Sequence, residues 1–221
     1  MNRLALPAPR RAYVFLAAAA LATLVALTIS VGTSRAAVIF DGSPGTGPPP
    51  ATLGPYQITP FPDDARAEFL NVASVPAPFG LGNVFFNPVL SHRDVPSSWA
   101  TWSHGYTEDV YYTNGGTAVT MTLVPNTKAF RFYAEPNPFA VVNITATTNT
   151  GVTSGPIPVD GFAGARYFGF FTTTLFESIA SITVTSTVDF AVGEFGMFTG
   201  GRSLPCPPYP QMGPCVIFPT F

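Results

Sequence analysis

The chain has 221 residues, with 10 Lys and Arg against 12 Asp and Glu, a formal charge of −2. Charged residues make up only 10% of it, where about 25% is usual in a globular protein. Four of the ten basic residues (Arg3, Arg10, Arg11 and Arg35) lie in the first 36 positions, so the remainder carries six basic and twelve acidic groups, a formal −6. That balance excludes a nucleic-acid partner and an anionic membrane surface, because both need clustered Lys and Arg.

The first element is an export signal. Arg3, Arg10 and Arg11 precede an apolar run from Ala12 to Val31, and Ser34-Arg35-Ala36 then offers small residues at −3 and −1 of a cleavage site. The apolar run is also long enough, at about 20 residues, to span a bilayer. An uncleaved anchor therefore stands beside the cleaved signal, and membrane contact is expected only through this segment. In both cases the body faces outward. Arg10-Arg11 also fits the loose twin-arginine pattern. The expected organisation is a signal over 1–36, a β-domain over 37–199 and a Pro-rich tail over 200–221. The expected location is secreted, cell-surface or periplasmic, in a bacterium.

The body is written in β grammar. Twenty Phe, 24 Pro and 20 Gly combine strand formers with chain punctuation. Val38 to Phe40 predicts a short strand, and the Pro- and Gly-rich stretch from Asp41 to Pro62 predicts a loop. Glu68–Val75 and Asn83–Leu90 predict strands, as does Asp109–Thr113. Asn114-Gly115-Gly116 reads as a hairpin turn, since these residues tolerate positive φ. Thr117–Val124 alternates strictly, with Val119, Met121 and Leu123 on one side and Thr120 and Thr122 on the other. Lys128–Ala134, Val141–Thr147, Arg166–Thr172, Ile179–Thr187 and Asp189–Phe198 complete the series. No segment of the body holds a 3.6-residue period over eleven positions. Eight to ten strands at this spacing predict an all-β fold, an antiparallel jelly-roll-like β-sandwich.

Five phrases carry a resemblance: Phe130-Arg131-Phe132-Tyr133, Ile144-Thr145-Ala146-Thr147, Tyr167-Phe168-Gly169-Phe170, Ile179 to Ser186, and Asp189 to Phe195. Together they resemble secreted bacterial jelly-roll domains of the kind carried by PEP-CTERM-sorted proteins. The likeness spans roughly residues 100 to 198. It departs at the end of the chain, which has no Pro-Glu-Pro, final apolar helix or basic tail and closes on a proline-rich segment holding Cys206 and Cys215. The resemblance implies a jelly-roll fold, and by analogy of fold a carbohydrate ligand.

Cys206 and Cys215 are expected to pair in an oxidising compartment. Two thiolates with no nearby His make an incomplete zinc set. The usual catalytic motifs are absent from the sequence: no Gly-x-Ser-x-Gly elbow, no His-Glu-x-x-His and no phosphate loop. The only histidines are His92 and His104. Asp160, Glu177, Asp189 and Glu194 are the acids available for a glycosidase pair, which needs two carboxylates held across the bond. Their placement in strands and loops could bring two together, which sequence alone does not show, and the expectation is no enzyme.

Two ligand classes remain. Asp160, Asp189 and Glu194 are candidates for a structural calcium ion, which takes oxygen ligands from loops. Trp99, Trp102, His104, Tyr106 and Tyr111 are candidates for a glycan site, because sugar rings stack on aromatic planes while polar neighbours fix their hydroxyls. Packing into the core is the competing reading of the same aromatics. The expectation is therefore a non-catalytic exported binding module for an extracellular glycan or cell-surface component. The alternative is a structural or adhesive surface protein with no small ligand.

Overall fold

The computed structural model describes residues 38–174 and 176–200. The expectations for the signal over 1–36, for a Cys206–Cys215 disulfide and for the tail from 201 onward lie outside the described residues. Among the described residues, fourteen strands run in chain order: β1 (Val38–Asp41), β2 (Thr52–Leu53), β3 (Tyr56–Gln57), β4 (Thr59–Pro60), β5 (Asn71–Pro76), β6 (Asn83–Asp94), β7 (Asp109–Tyr112), β8 (Ala118–Thr122), β9 (Thr127–Pro136), β10 (Val141–Thr148), β11 (Ile157–Asp160), β12 (Arg166–Thr172), β13 (Ser181–Ser186) and β14 (Phe190–Thr199). The only helical piece among the described residues is a 3-10 turn at Pro78–Gly80. No helix among them is long and apolar enough to cross a membrane.

The all-β expectation holds. One antiparallel sheet of twelve strands has the order β1-β12-β9-β14-β7-β6-β8-β13-β10-β11, with β4 beside β14 and β5 beside β6. It curls so that β1, β12, β9, β14 and β7 form one leaf, facing β8, β13, β10 and β11. Strand β6 joins the two leaves: its residues 91–94 pair with β7 and its residues 85–87 pair with β8. Phe130, Phe132, Phe168 and Phe170 of the first leaf pack in one cluster with Val119, Met121, Ile144, Ile182 and Val184 of the second. Each such side chain contributes about 1.5–3 kcal/mol on full burial. Phe132 and Phe168 stack with centroids 5.2 Å apart and an interplanar angle of 8°.

The Asn114-Gly115-Gly116 turn forms, with Asn114 and Gly115 at positive φ and the Gly116 N–H donating to the Thr113 carbonyl at 3.0 Å. It does not make a hairpin. Strand β7 pairs with β6 and β14, and β8 pairs with β6 and β13. The two strands follow one another along one edge of β6, while β5 occupies the other edge. The turn carries the chain from one leaf to the other. Local turn chemistry fixes only the backbone reversal; partner choice was decided by the long strand β6.

The first leaf is covered on its outer face as well, so β9 is buried at all ten of its positions. Its even-numbered residues Phe130 and Phe132 face the core. The odd-numbered residues Arg131, Tyr133 and Glu135 face outward, beneath two loop segments. One segment, 42–62, contains β2 to β4, where the Pro- and Gly-rich sequence predicts only loop, because two-residue strands show no periodicity. Leu53 and Tyr56 pack there on Ala129. The other segment, 95–108, lays Val95, Trp99 and Trp102 on Tyr133 and Tyr167.

Polar contacts pin this cover. The Tyr133 hydroxyl donates to the Gly47 carbonyl at 2.6 Å, and the Tyr167 N–H to the Gly45 carbonyl at 2.8 Å. Glu135, fully buried, accepts from Trp99 Nε1 at 2.8 Å, Thr101 Oγ1 at 3.2 Å and the Gly164 N–H at 3.2 Å. One carboxylate thus ties the loop over 95–108 and the β11–β12 turn to the sheet. Glu135→Ala leaves three donors without their acceptor, and each such loss costs about 1–3 kcal/mol. We expect a destabilisation of about 3 kcal/mol or more by chemical denaturation; a loss under about 1 kcal/mol would contradict the clamp.

Candidate functional site

A cleft of about 340 Å³ opens where the cover meets β14, lined among others by Phe61, Asp64, Tyr106, Glu108, Asp109, Tyr111, Arg131, Glu194 and Phe195. A volume of that order matches the lower range of small-ligand pockets. Its wall depends on a bulge. Pairing of β14 with β9 shifts register between Gly193, opposite Tyr133, and Gly196, opposite Arg131, so Glu194 and Phe195 share the place opposite Phe132, a bulge of one extra residue. Phe195 turns into the core, where it stacks on Tyr111 with centroids 5.6 Å apart. Glu194 turns toward the cleft. Bulges re-aim side chains in this way, often beside functional sites.

Glu194 is held by two groups. Its Oε1 lies 2.9 Å from His104 Nε2, and its Oε2 accepts from Trp102 Nε1 at 3.3 Å. His104 Nδ1 lies 3.2 Å from the Thr46 carbonyl oxygen, which links the two cover segments. His104 and Glu194 both sit at left-handed φ, 41° and 54°. Such residues cost about 1–3 kcal/mol each and persist where surrounding contacts over-determine them. Burial pushes the Glu194 carboxyl above its ordinary pKa, against the opposing pull of His104, Arg131 and Trp102.

A second network lies across the cleft. Asp109 Oδ1 stands 2.6 Å from His92 Nε2, and its Oδ2 accepts the Asp64 N–H at 2.6 Å. Asp64 accepts from Arg66 Nε at 2.7 Å and from the Tyr111 hydroxyl at 3.0 Å. The Tyr106 hydroxyl donates to the Asp109 carbonyl at 2.9 Å. Burial works against the Asp64 carboxylate, but Arg66 and Tyr111 outweigh it and hold the pKa below the ordinary value. Burial likewise works against a charged His92 ring, yet the Asp109 carboxylate and the Ala67 carbonyl raise its pKa overall.

The aromatic candidates do not form an exposed platform. Trp99, Trp102 and Tyr111 are 7%, 4% and 4% exposed. Trp99 serves Glu135, away from the cleft, while Trp102 and His104 stand behind Glu194. Tyr106 and Tyr111 do line the cleft. The candidate stretch therefore builds the wall, through phenols and hydrogen bonds in place of stacked indoles. Sequence reasoning missed Asp64, Arg66, His92 and Arg131. The one available signal was His92 and Asp94 two residues apart, a spacing that puts both on one face of a strand.

The calcium candidates Asp160, Asp189 and Glu194 are not brought together. Asp160 Oδ1 caps the Phe162 N–H at 3.0 Å, Asp189 accepts from the Tyr112 hydroxyl and from Asn137 Nδ2, and Glu194 is bound as described. The reason is register: Asp189 precedes β14 and pairs near Pro136, while Glu194 lies in the bulge farther along that strand. Among the described residues, the group of three His, Cys, Asp or Glu side chains close enough to share an ion is His92, Asp94 and Asp109. Its imidazole nitrogen does not suit calcium's preference for oxygen. Both nitrogens of His92 already face acceptors, which an ion-paired imidazolium satisfies. The chain matches no known family model, and a search of curated proteins finds no match in sequence.

These shifts set a pH profile. Burial raises the Glu135 carboxyl to about 7 from an ordinary 4.5, outweighing its three donors. The folded state then binds more protons than the unfolded chain between those values, so stability falls as pH rises from 4.5 to 7. Glu194 adds to this in the same direction. The His92 contribution is complete below 6.5 and is lost as pH rises through its raised folded value. Asp64 opposes only at the acid end, losing its contribution as pH falls below 3.8. We expect a higher denaturant midpoint at about pH 5 than at about pH 8, and a smaller difference in Glu135→Gln. Equal midpoints in the unaltered protein would contradict these assignments.

Proposed function

We propose that this protein is an exported, non-catalytic binding module whose cleft takes a saccharide. The observation that carries the reading is the cleft itself. Tyr106, Phe61 and Phe195 give it apolar walls, while Asp64, Glu108, Asp109 and Glu194 give it carboxylates. Carboxylates accept from sugar hydroxyls, and aromatic edges and faces meet the ring C–H groups. Three of these carboxylates, Asp64, Asp109 and Glu194, are fixed from behind by Arg66, His92 and His104, so little ordering of them is required when a ligand arrives. That same engagement favours binding over hydrolysis, because an acid–base pair needs carboxyl groups free to give and take protons. Export rests on the Arg-apolar-small order of residues 3–36.

A second reading, a structural or adhesive surface protein, draws on one observation. Phe139 and Phe162 are 65% and 64% exposed and meet edge to face at 5.6 Å, with Val141 exposed nearby in sequence. Apolar surface of that kind favours contact with another protein.

Titration of the purified protein with neutral mono- and disaccharides, followed by ligand-observed NMR, separates the two. We expect saturable binding that weakens about fivefold in Glu108→Gln, the loss of one exposed hydrogen bond to a charged group. Glu108 is exposed, so the melting temperature stays unchanged. No binding of any saccharide, together with self-association abolished by Phe139→Ser, would overturn the proposal in favour of the second reading.

A further inference from the structure

One group on the cleft lining is not matched by its surroundings. Arg131 is 5% exposed and lies in the middle of β9. Its register partners on the two sides are Gly169 of β12 and Gly196 of β14. Neither has a side chain, and a Cβ at Gly196 would fall 2.6 Å from Arg131 Nε. The guanidinium therefore has room to lie across the sheet and reach the cleft, where it forms part of the lining.

Its hydrogen bonding is sparse for a group with five donors. One terminal nitrogen donates to the Glu194 carbonyl oxygen at 3.1 Å, and Nε is buried with no acceptor. Among the described residues, no carboxylate lies within ion-pair distance of it, whereas Asp64, Asp109 and Glu194 are paired with Arg66, His92 and His104. Burial depresses its pKa, and the pull of the Glu194 carboxylate does not make good that loss. A buried charge is costly unless paired, and the planar guanidinium fork fits a carboxylate with two parallel hydrogen bonds.

We infer that Arg131 is the recognition group for a ligand carboxylate, so that the cleft takes an acidic sugar of the uronate class. The inference rests on the saccharide reading of the same cleft and adds the charge of the ligand. It also fixes the pose. Glu108, exposed on the lining, repels a carboxylate held there, so the ligand's charge goes to Arg131 and its hydroxyls go to Glu108.

The test compares galacturonate and glucuronate with their methyl esters and with galactose, by NMR titration at low salt. The ester keeps the shape and removes the charge. We expect each free acid to bind about tenfold or more tightly than its ester. In Arg131→Gln that preference should shrink to less than about twofold, with ester affinity retained. If Arg131→Gln fails to fold, the acid–ester comparison in the unaltered protein decides alone. Equal affinity for acid, ester and galactose overturns the inference and leaves the saccharide cleft standing. No binding of any of these sugars overturns both.

Discussion

The structure depends on burying strand β9 from both sides. A sandwich leaf ordinarily keeps one face in water, and its outward residues are then free to be polar. Here the outer face of the first leaf carries Arg131, Tyr133 and Glu135, and it is dry. Hydrophobic contacts from Leu53, Trp99 and Trp102 supply the drive to cover it. Covered charges must find partners, because an unsatisfied buried polar group costs as much as several apolar contacts return. Glu135 finds three donors, two of them side chains of the cover. The loop segments over 42–62 and 95–108 thereby acquire one fixed geometry without regular secondary structure of any length.

The cleft follows from that constraint. It forms where the cover ends against the β14 bulge, and each histidine of the chain works as a strut there. His92 spans the Ala67 carbonyl and Asp109; His104 spans the Thr46 carbonyl and Glu194. In both, one ring nitrogen holds a cover or loop carbonyl and the other holds an acid at the cleft. Two residues kept at left-handed φ within the second strut show that the surroundings dictate the local backbone there. Rigid acids, phenolic walls and one guanidinium without an ion-pair partner make the lining on which the proposed saccharide reading rests.

Much of the fold is legible in the amino-acid order. Val119, Met121 and Leu123 alternate with Thr, and so do Ile182 and Val184, because the second leaf does keep one face in water. The first leaf defeats the same rule. Arg131 and Glu135 sit at positions that alternation assigns to solvent, and only a cover contributed by distant stretches of chain buries them. The Trp99–Tyr112 stretch is rich in aromatics, but composition does not distinguish a ring that faces a ligand from one that shields a carboxylate. The two indole N–H groups reach Glu135 and Glu194, 36 and 92 positions away. Contacts at that sequence separation leave no local pattern. Asp64 and Arg66 were hidden for the opposite reason: a short charged pair in a proline-rich loop looks like ordinary surface.

The two tryptophans also offer the most direct measurement. Their indole N–H groups are the donors that fix the cover to Glu135 and the cleft acid Glu194, so hydrogen exchange at these two sites, read by ¹⁵N–¹H NMR, reports on the dry outer face itself. The account predicts that both indoles exchange far more slowly than a free indole and that the Trp99 signal shifts with pH as Glu135 titrates around 7. Free-indole exchange at both sites, with no such shift, would mean that the outer face of β9 is wet and that the cleft built upon its cover does not exist as described.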